Sequence, residues 1–309
     1  CVFTPMALLL QGMSVINVDG LRVSNSSFRN TNGTPPQSGI DIESDKPSQL
    51  LKRIELRDII LENNSGCGLE IEFGSYIGSP VKHNPLVSDV FRWAAFSLDA
   101  FQEPVGIVAE NVWSSNNAVG LSVLSNVRLK GEIAVSNLTV DGTRLGAGIN
   151  LVDQSVDGAM VTIRDSLVRG VSPASPGASP RPCDPHASSC DSGVAPITFA
   201  RHAPPKPSRA LEFGRVALEN LTVSIDECEP FLLANLSRGC FGSSGTGRCG
   251  PIELFSLVGS FTVLAPPHCD CPPPLIEAAG NRPKHWNVSV RCIKAQTAPA
   301  FGVKTDDDD

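Results

Sequence analysis

One short pattern recurs along most of this sequence, and a repeat whose single copy cannot bury its own apolar face restricts the fold more than any other feature. The segments LRVSN at 21–25, IELRD at 54–58, IVAEN at 107–111, IAVSN at 133–137, VTIRD at 161–165 and VALEN at 216–220 share it. Each sets apolar residues at every second position and ends on Asn or Asp two residues after the last of them. Alternation at period two is the mark of a strand with one buried face. Asn and Asp tolerate the left-handed backbone region, so they suit a sharp bend between two strands. A brief second strand is expected after the bend, at Ile59–Leu61, Leu138–Val140, Leu167–Val168 and Leu221–Val223. A third is introduced by glycine in GIDIE at 39–43 and GLEIE at 68–72. Further strands of that third type are expected at Leu121–Ser125, Ile149–Asp153, Leu211–Phe213 and Ile252–Phe255.

Three short strands per repeat describe an all-β chain wound as a right-handed, single-stranded parallel β-helix, whose stacked coils share one core. A leucine-rich repeat would place its Asn three residues after the last strand leucine and alternate strands with helical segments. A β-sandwich would carry many hairpin turns, and Asn32-Gly33 is nearly the only such dipeptide. The expected organisation is a β-helix over residues 1–265, with loop insertions at 74–104, 171–209 and 226–250. A Cys/Pro-rich segment at 266–309 follows, with a last strand near 286–292 and an acidic tail at Asp306–Asp309. Within the first insertion, Val90, Ala94, Leu98 and Phe101 recur at helical spacing after Asn84 and Pro85, which reads as a capped helix lying on the solenoid.

Charge and cysteine usage bound the setting. Lys and Arg number 25 against 32 Asp and Glu among 309 residues, a net charge of −7, which makes the chain a poor candidate for a phosphate-backbone binder, since that needs a basic face, and no nucleic-acid partner is expected. No apolar run approaches the ~20 residues that cross a bilayer as a helix. Ten cysteines are unusual for a reducing compartment, and eight of them crowd the second half. Cys183 with Cys190 and Cys240 with Cys249 would each close a short loop, but spacing alone leaves the connectivity open. His268, Cys269, Asp270, Cys271 and Cys292 are read as disulfide chemistry rather than a zinc site, since a second cysteine pair at ligand spacing is missing. Asn-x-Ser/Thr acceptors occur at Asn25, Asn32, Asn63, Asn137, Asn220, Asn235 and Asn287. Together these point to a secreted or cell-surface glycoprotein, and a start at Cys1 reads as a mature or trimmed segment.

The stretch from Leu21 to Phe73 resembles the repeat region of pectin-lyase-like proteins. The residues that carry the resemblance are VSN at 23–25, FRNT at 28–31, GIDIE at 39–43, IELRD at 54–58, Asn63 and GLEIE at 68–72. Weaker copies extend to about Val263. The resemblance implies a right-handed β-helix and a polysaccharide partner, because the superfamily holds polysaccharide lyases, polygalacturonase-like hydrolases and uronate epimerases, beside many proteins with no assigned activity. The Asn-Thr-Asp strand and Gly-His-Gly turn of polygalacturonases are absent, as is the Asp-His turn of pectate lyases. No catalytic set is carried over.

Site chemistry must therefore be read from the residues. In GIDIE, Ile40 and Ile42 share one face, so Asp41 and Glu43 share the other. In GLEIE, Leu69, Ile71 and Phe73 point inward, while Glu70 and Glu72 point out. Stacked in register, Asp41 lies beside Glu70 and Glu43 beside Glu72, on strands ~4.8 Å apart, where like charges raise at least one pKa. Such carboxylates can serve as acid, base or nucleophile on a glycosidic bond, or hold Ca²⁺ that neutralises a substrate uronate. Ser122, Asn150, Glu212 and Glu253 are expected further along the same face. Tyr76 and His83, in the insertion that follows, are candidates for the base and acid of a lyase or epimerase. Lys52, Arg53 and Arg57 would either clamp a substrate carboxylate or pair with nearby acids such as Glu55. The blander alternative is that outward Glu residues merely solubilise an exposed strand. Two functions follow: a lyase, epimerase or hydrolase of acidic glycans, or a non-catalytic structural or glycan-binding solenoid.

Overall fold

The computed structural model describes residues 2–3, 12–32, 36–44, 48–73, 103–124, 130–144, 147–152, 159–171, 196–200, 212–226, 232–235, 253–271, 275–277 and 285–294. Among them every regular element is a strand. The first six are β1 (Val2–Phe3), β2 (Met13–Val15), β3 (Val18–Arg29), β4 (Ile40–Glu43), β5 (Leu51–Glu62) and β6 (Cys67–Glu72). Next come β7 (Val105–Asn117), β8 (Val119–Leu124), β9 (Gly131–Thr143), β10 (Ile149–Val152), β11 (Met160–Arg164) and β12 (Leu167–Arg169). The last are β13 (Ile197–Ala200), β14 (Glu212–Ser224), β15 (Leu232–Asn235), β16 (Glu253–Ala265), β17 (Leu275–Glu277) and β18 (His285–Lys294).

All the described pairings are parallel. They build two sheets. A ten-stranded sheet runs β1-β3-β5-β7-β9-β11-β14-β16-β18, with β12 beside β9 and β14, and an eight-stranded sheet runs β2-β4-β6-β8-β10-β13-β15-β17. The chain alternates between them, so each repeat lays a long strand in one sheet and a short strand in the other, next to those of the repeat before. Alternate side chains of both sheets close into one core: Ile54, Leu56, Ile107, Ile133 and Val135 from the long strands, and Ile40, Ile42, Leu69, Ile71 and Leu121 from the short ones. The expected all-β class with parallel strands is what the chain adopts.

The bend residues behave as their chemistry predicts. Asn25, Asp58, Asn111, Asn137, Asp165 and Asn220 all have left-handed backbone, with φ of 49°, 56°, 55°, 53°, 51° and 52°. The expected separate strands on either side of the bend are, however, one uninterrupted strand in most repeats. The reason lies in the register, which sets Ser24 against Arg57 and Ser26 against Ile59, so neighbouring strands bend at the same place and the ladder survives. Only at Asp165 and Ser166, between β11 and β12, does the strand break. The bend side chains join one another: Asn111 Nδ2 donates to Asp58 Oδ1 at 3.0 Å, Asn137 Nδ2 donates to Asn111 Oδ1, and Asn220 Nδ2 donates to Asp165 Oδ1 at 2.8 Å.

A second left-handed row lies where the long strands end, at Asn30, Asn63 and Asn116, with φ of 59°, 57° and 51°. Gly142 and Gly170 take over the row, at φ 77° and 63°. The residues immediately after it turn inward. Asn64 and Asn117 are fully buried. Asn64 Oδ1 accepts from the Thr31 backbone N–H at 3.1 Å, and Asn117 Oδ1 accepts from the Asn64 backbone N–H at 2.9 Å. Their amide nitrogens donate to the carbonyls of Phe28 and Leu61 at 3.2 and 2.9 Å. Buried side-chain amides thus satisfy backbone groups that the turn takes out of the sheet ladder.

Several expected boundaries move. The segments at Leu211–Phe213 and Ile252–Phe255 are not third-type strands: Glu212 and Glu253 pair with each other in the ten-stranded sheet. The short-strand row continues instead through β13 and β15, both inside stretches read as insertions. ITFA at 197–200 has the right alternation, but it closes a Pro/Ser-rich stretch that masks the pattern. The helix expected around Val90–Phe101 lies outside the described residues, as do Cys183, Cys190, Cys240 and Cys249. Near the C-terminal end, Cys271 and Cys292 form a disulfide with a Cα–Cα distance of 5.8 Å, and Cys269 is disulfide-bonded too. Replacing Asn111 by Ala should cost about 1 kcal/mol, the penalty of left-handed backbone in an L-residue, whereas Asn111→Gly should recover most of it. Asn117→Ala should cost about 1–3 kcal/mol by orphaning buried backbone groups; urea unfolding midpoints measure all three.

Candidate functional site: a carboxylate ladder on two short strands

The short strands β4 and β6 are built from the same five-residue phrase, and its repetition fixes how they meet. Asp41 pairs with Glu70 and Glu43 with Glu72, flanked by Ile40 against Leu69 and Ile42 against Ile71. The four isoleucine and leucine side chains are fully buried in the core, and Phe73 is buried behind them. The four acids therefore occupy the other side of the sheet as two stacked like-charge pairs.

That side is less open than the alternation suggests. Asp41 is 1% exposed and Glu70 2%, while Glu43 and Glu72 are half-buried. The inner pair continues along the sheet as one buried polar row, because Glu70 is in register with Ser122, Ser122 with Asn150, and Asn150 with Thr198. All three are buried, and the Thr198 hydroxyl donates to Asn150 Oδ1 at 2.7 Å. The outer pair does not continue as polar: Leu124 follows Glu72 in register. Stacked acidic pairs thus occur on β4 and β6, while farther along the inner row Thr198 is in register with Asn235 and Asn235 with Glu277 on β17, and Glu212 and Glu253 belong to the other sheet.

Ser38 is a site residue that alternation alone does not single out. It is fully buried, its hydroxyl donates to Glu70 Oε2 at 2.5 Å, and it accepts from the Cys67 backbone N–H at 3.2 Å. Its signal in the sequence is only a hydroxyl residue just before the glycine that opens the strand. Cys67, at the start of β6, is a buried free thiol. Burial foremost, and then the charges of Glu70, Asp41 and Glu72, push its pKa well up, which disfavours the thiolate.

Glu72 is the acid whose protonation is most altered. Loss of solvent, followed by the charges of Glu70, Glu43 and Asp41, raises its pKa from 4.5 to about 8. At neutral pH it is a carboxylic acid that can donate a proton. Tyr76 and His83, the candidates for a lyase or epimerase, lie outside the described residues. Lys52, Arg53 and Arg57 lie on β5 in the other sheet and are paired: Lys52 with Glu103, Arg53 with Asp19 at 2.8 Å, and Arg57 with Glu110 at 2.6 Å. Among the described residues no three His, Cys, Asp or Glu side chains converge as a metal-binding set.

A cleft of about 510 Å³ opens on the ten-stranded sheet along the bend, where Asn25, Asp58 and Asn111 meet Ile60 and Trp113. The indole of Trp113 is 40% exposed, and the Arg169 guanidinium lies 5.7 Å from its ring centre.

Because Glu72 binds its proton more tightly folded than unfolded, the folded state holds more protons between pH 4.5 and about 8. Stability must fall as pH rises through that window. Glu72→Gln should remove this part of the slope, gaining on the wild type progressively from pH 4.5 to about 8, as urea midpoints across pH would show. Compared with protein-family models, with curated proteins and with solved structures, the chain matches none, so the functional reading rests on these residues alone.

Proposed function

We propose that this chain is a secreted, right-handed parallel β-helix of the pectin-lyase-like kind that acts on polysaccharide through Glu43 and Glu72. The alternation of the chain between two purely parallel sheets supports the helical winding, and parallel crossovers are right-handed in the great majority of cases. The observation that carries the functional reading is the register of Glu43 with Glu72, together with a Glu72 carboxyl that keeps its proton to about pH 8.

A protonated acid beside a second carboxylate, on strands ~4.8 Å apart, has the parts needed to cleave a glycosidic bond. Glu72 protonates the leaving oxygen as Glu43 bonds to the anomeric carbon and the glycosidic bond breaks; water, giving its proton to Glu72, then displaces the Glu43 carboxylate from that carbon. Asp41 and Glu70 are too buried to touch a polymer. Their role is to hold Glu72 protonated by their charge, with Ser38 fixing Glu70. Of the three reactions the resemblance implies, hydrolysis suits this pair best, since it uses one protonated and one ionised carboxyl at close spacing. The burial of Asp41 and Glu70 in a polar row with Ser122 and Asn150 favours a second reading, in which the row only stabilises a glycan-binding or structural solenoid.

The full chain, incubated with a panel of neutral and acidic polysaccharides with and without Ca²⁺, should release new reducing ends without unsaturated-uronate absorbance. Glu72→Gln and Glu43→Gln should each lower the rate by about 10²-fold or more. The rate should also fall as pH rises through about 8, where Glu72 loses its proton. A wild-type chain that cleaves nothing, yet binds a glycan equally well with Glu43 and Glu72 both changed to Gln, would leave the non-catalytic reading standing.

A further inference from the structure

The bend row on the ten-stranded sheet has a property that neither the fold nor the carboxylate site requires. Asn25, Asn137 and Asn220 each open an Asn-x-Ser/Thr acceptor, with hydroxyls at Ser27, Thr139 and Thr222. The intervening members of the row, Asp58, Asn111 and Asp165, do not. All six bend residues are exposed. More generally, Asn25, Asn32, Asn63, Asn137, Asn220 and Asn287 are acceptor asparagines and exposed, whereas the buried asparagines Asn64, Asn117 and Asn150 are not acceptors.

Spacing along the row matters. Asn25 and Asn137 lie three strand steps apart, and Asn137 and Asn220 two, which at ~4.8 Å per step is about 14 and 10 Å. Acceptors on adjacent strands would crowd two bulky glycans, and none in this row are adjacent. The bonds of the row also tolerate modification. An asparagine amide has two N–H groups, and a sugar replaces one. The other still serves the bond from Asn137 to Asn111 and that from Asn220 to Asp165.

We propose that Asn25, Asn137 and Asn220 carry N-linked glycans, set in file along the bend, and that the first sugars on Asn25 rest in the cleft against Ile60 and Trp113. This rests on the secreted reading above. The donor is a lipid-diphosphate-linked oligosaccharide. The Asn Nδ2 bonds to the anomeric carbon, the bond from that carbon to the phosphate oxygen breaks, the lipid diphosphate leaves with the electron pair, and the amide gives up one proton. The cleft borders Asn25 itself, and Trp113 lies two strands away, about 10 Å, within reach of an attached chain held at high effective concentration. An exposed indole beside amide and carboxylate groups is the surface a sugar ring stacks on while its hydroxyls hydrogen-bond. One edge of the protein is thereby shielded, and the carboxylate-bearing sheet remains the one a polymer approaches.

The test is to secrete the full chain from eukaryotic cells and map its peptides by mass spectrometry. Glycan mass is expected on all three asparagines. Ser27→Ala, Thr139→Ala and Thr222→Ala each destroy one acceptor while leaving the bend asparagine in place, and each should remove one glycan-sized step of electrophoretic mobility. Ser27→Ala should also make tryptophan emission more quenchable by acrylamide, a difference that vanishes in a Trp113→Phe background. An unmodified asparagine in the secreted chain overturns the assignment at that position. A glycosylated Asn25 whose loss leaves quenching unchanged overturns the seating in the cleft. Secretion without any of the three glycans sinks this inference and spares the polysaccharide reading, which the Glu72→Gln assay judges separately; a chain that is not secreted overturns both this inference and the proposed compartment.

Discussion

Everything in this structure depends on equivalent residues of successive repeats meeting in parallel register. A parallel ladder tolerates a left-handed residue in mid-strand only if the next strand has one at the same place. Six Asn or Asp residues at matched positions supply it, and their side chains hydrogen-bond along the row. A second file, Asn30, Asn63 and Asn116 followed by Gly142 and Gly170, repeats the device at the exit of the long strands. Where the matching fails, the sheet shows it: between β14 and β16 the register shifts across Leu218 and Leu221, because Ser260 alone stands opposite Glu219 and Asn220. There the Ser260 hydroxyl substitutes for the missing amide by accepting from the Asn220 backbone N–H at 2.7 Å.

The same stacking decides which charges become neighbours on each sheet. On the long strands several neighbours in register have opposite sign: Arg22 meets Glu55 at 3.0 Å, Arg29 meets Glu62 at 3.1 Å, Arg57 meets Glu110 at 2.6 Å and Arg169 meets Asp141 at 2.8 Å, whereas Glu212 stands opposite Glu253. Exposed pairs of opposite sign are each worth little. On the short strands, acid faces acid twice over. Like charges directly opposite destabilise a sheet, and burial adds to the cost. Two acidic pairs side by side on adjacent short strands, one of them buried, depart from local consistency, and departures of that kind gather at functional sites.

Much of this was legible in the residues. The alternation in LRVSN and its copies predicted the strands, the terminal Asn or Asp predicted the left-handed bend, and the shared phrase GIDIE/GLEIE predicted which acids would be neighbours. What alternation could not tell was the burial of Asp41 and Glu70, because period two says which side a residue takes and not what covers that side. The buried amides Asn64 and Asn117 had a visible signal, since each follows another asparagine as Thr31 follows Asn30. The pairs mark a left-handed residue and then an inward one. The strand at 197–200 was illegible because proline and serine around it outweighed four residues of pattern.

The last described strand of the ten-stranded sheet, β18, has its partner β16 on one side and no described strand on the other. Natural sheets blunt long marginal strands with charge. Here the margin is tethered by the Cys271–Cys292 bond and studded with Arg291 and Lys294, the latter held to Asp270 at 3.0 Å. The bond therefore ties the last described strand to the segment ahead of β17, so its reduction would loosen that strand before it reached the core.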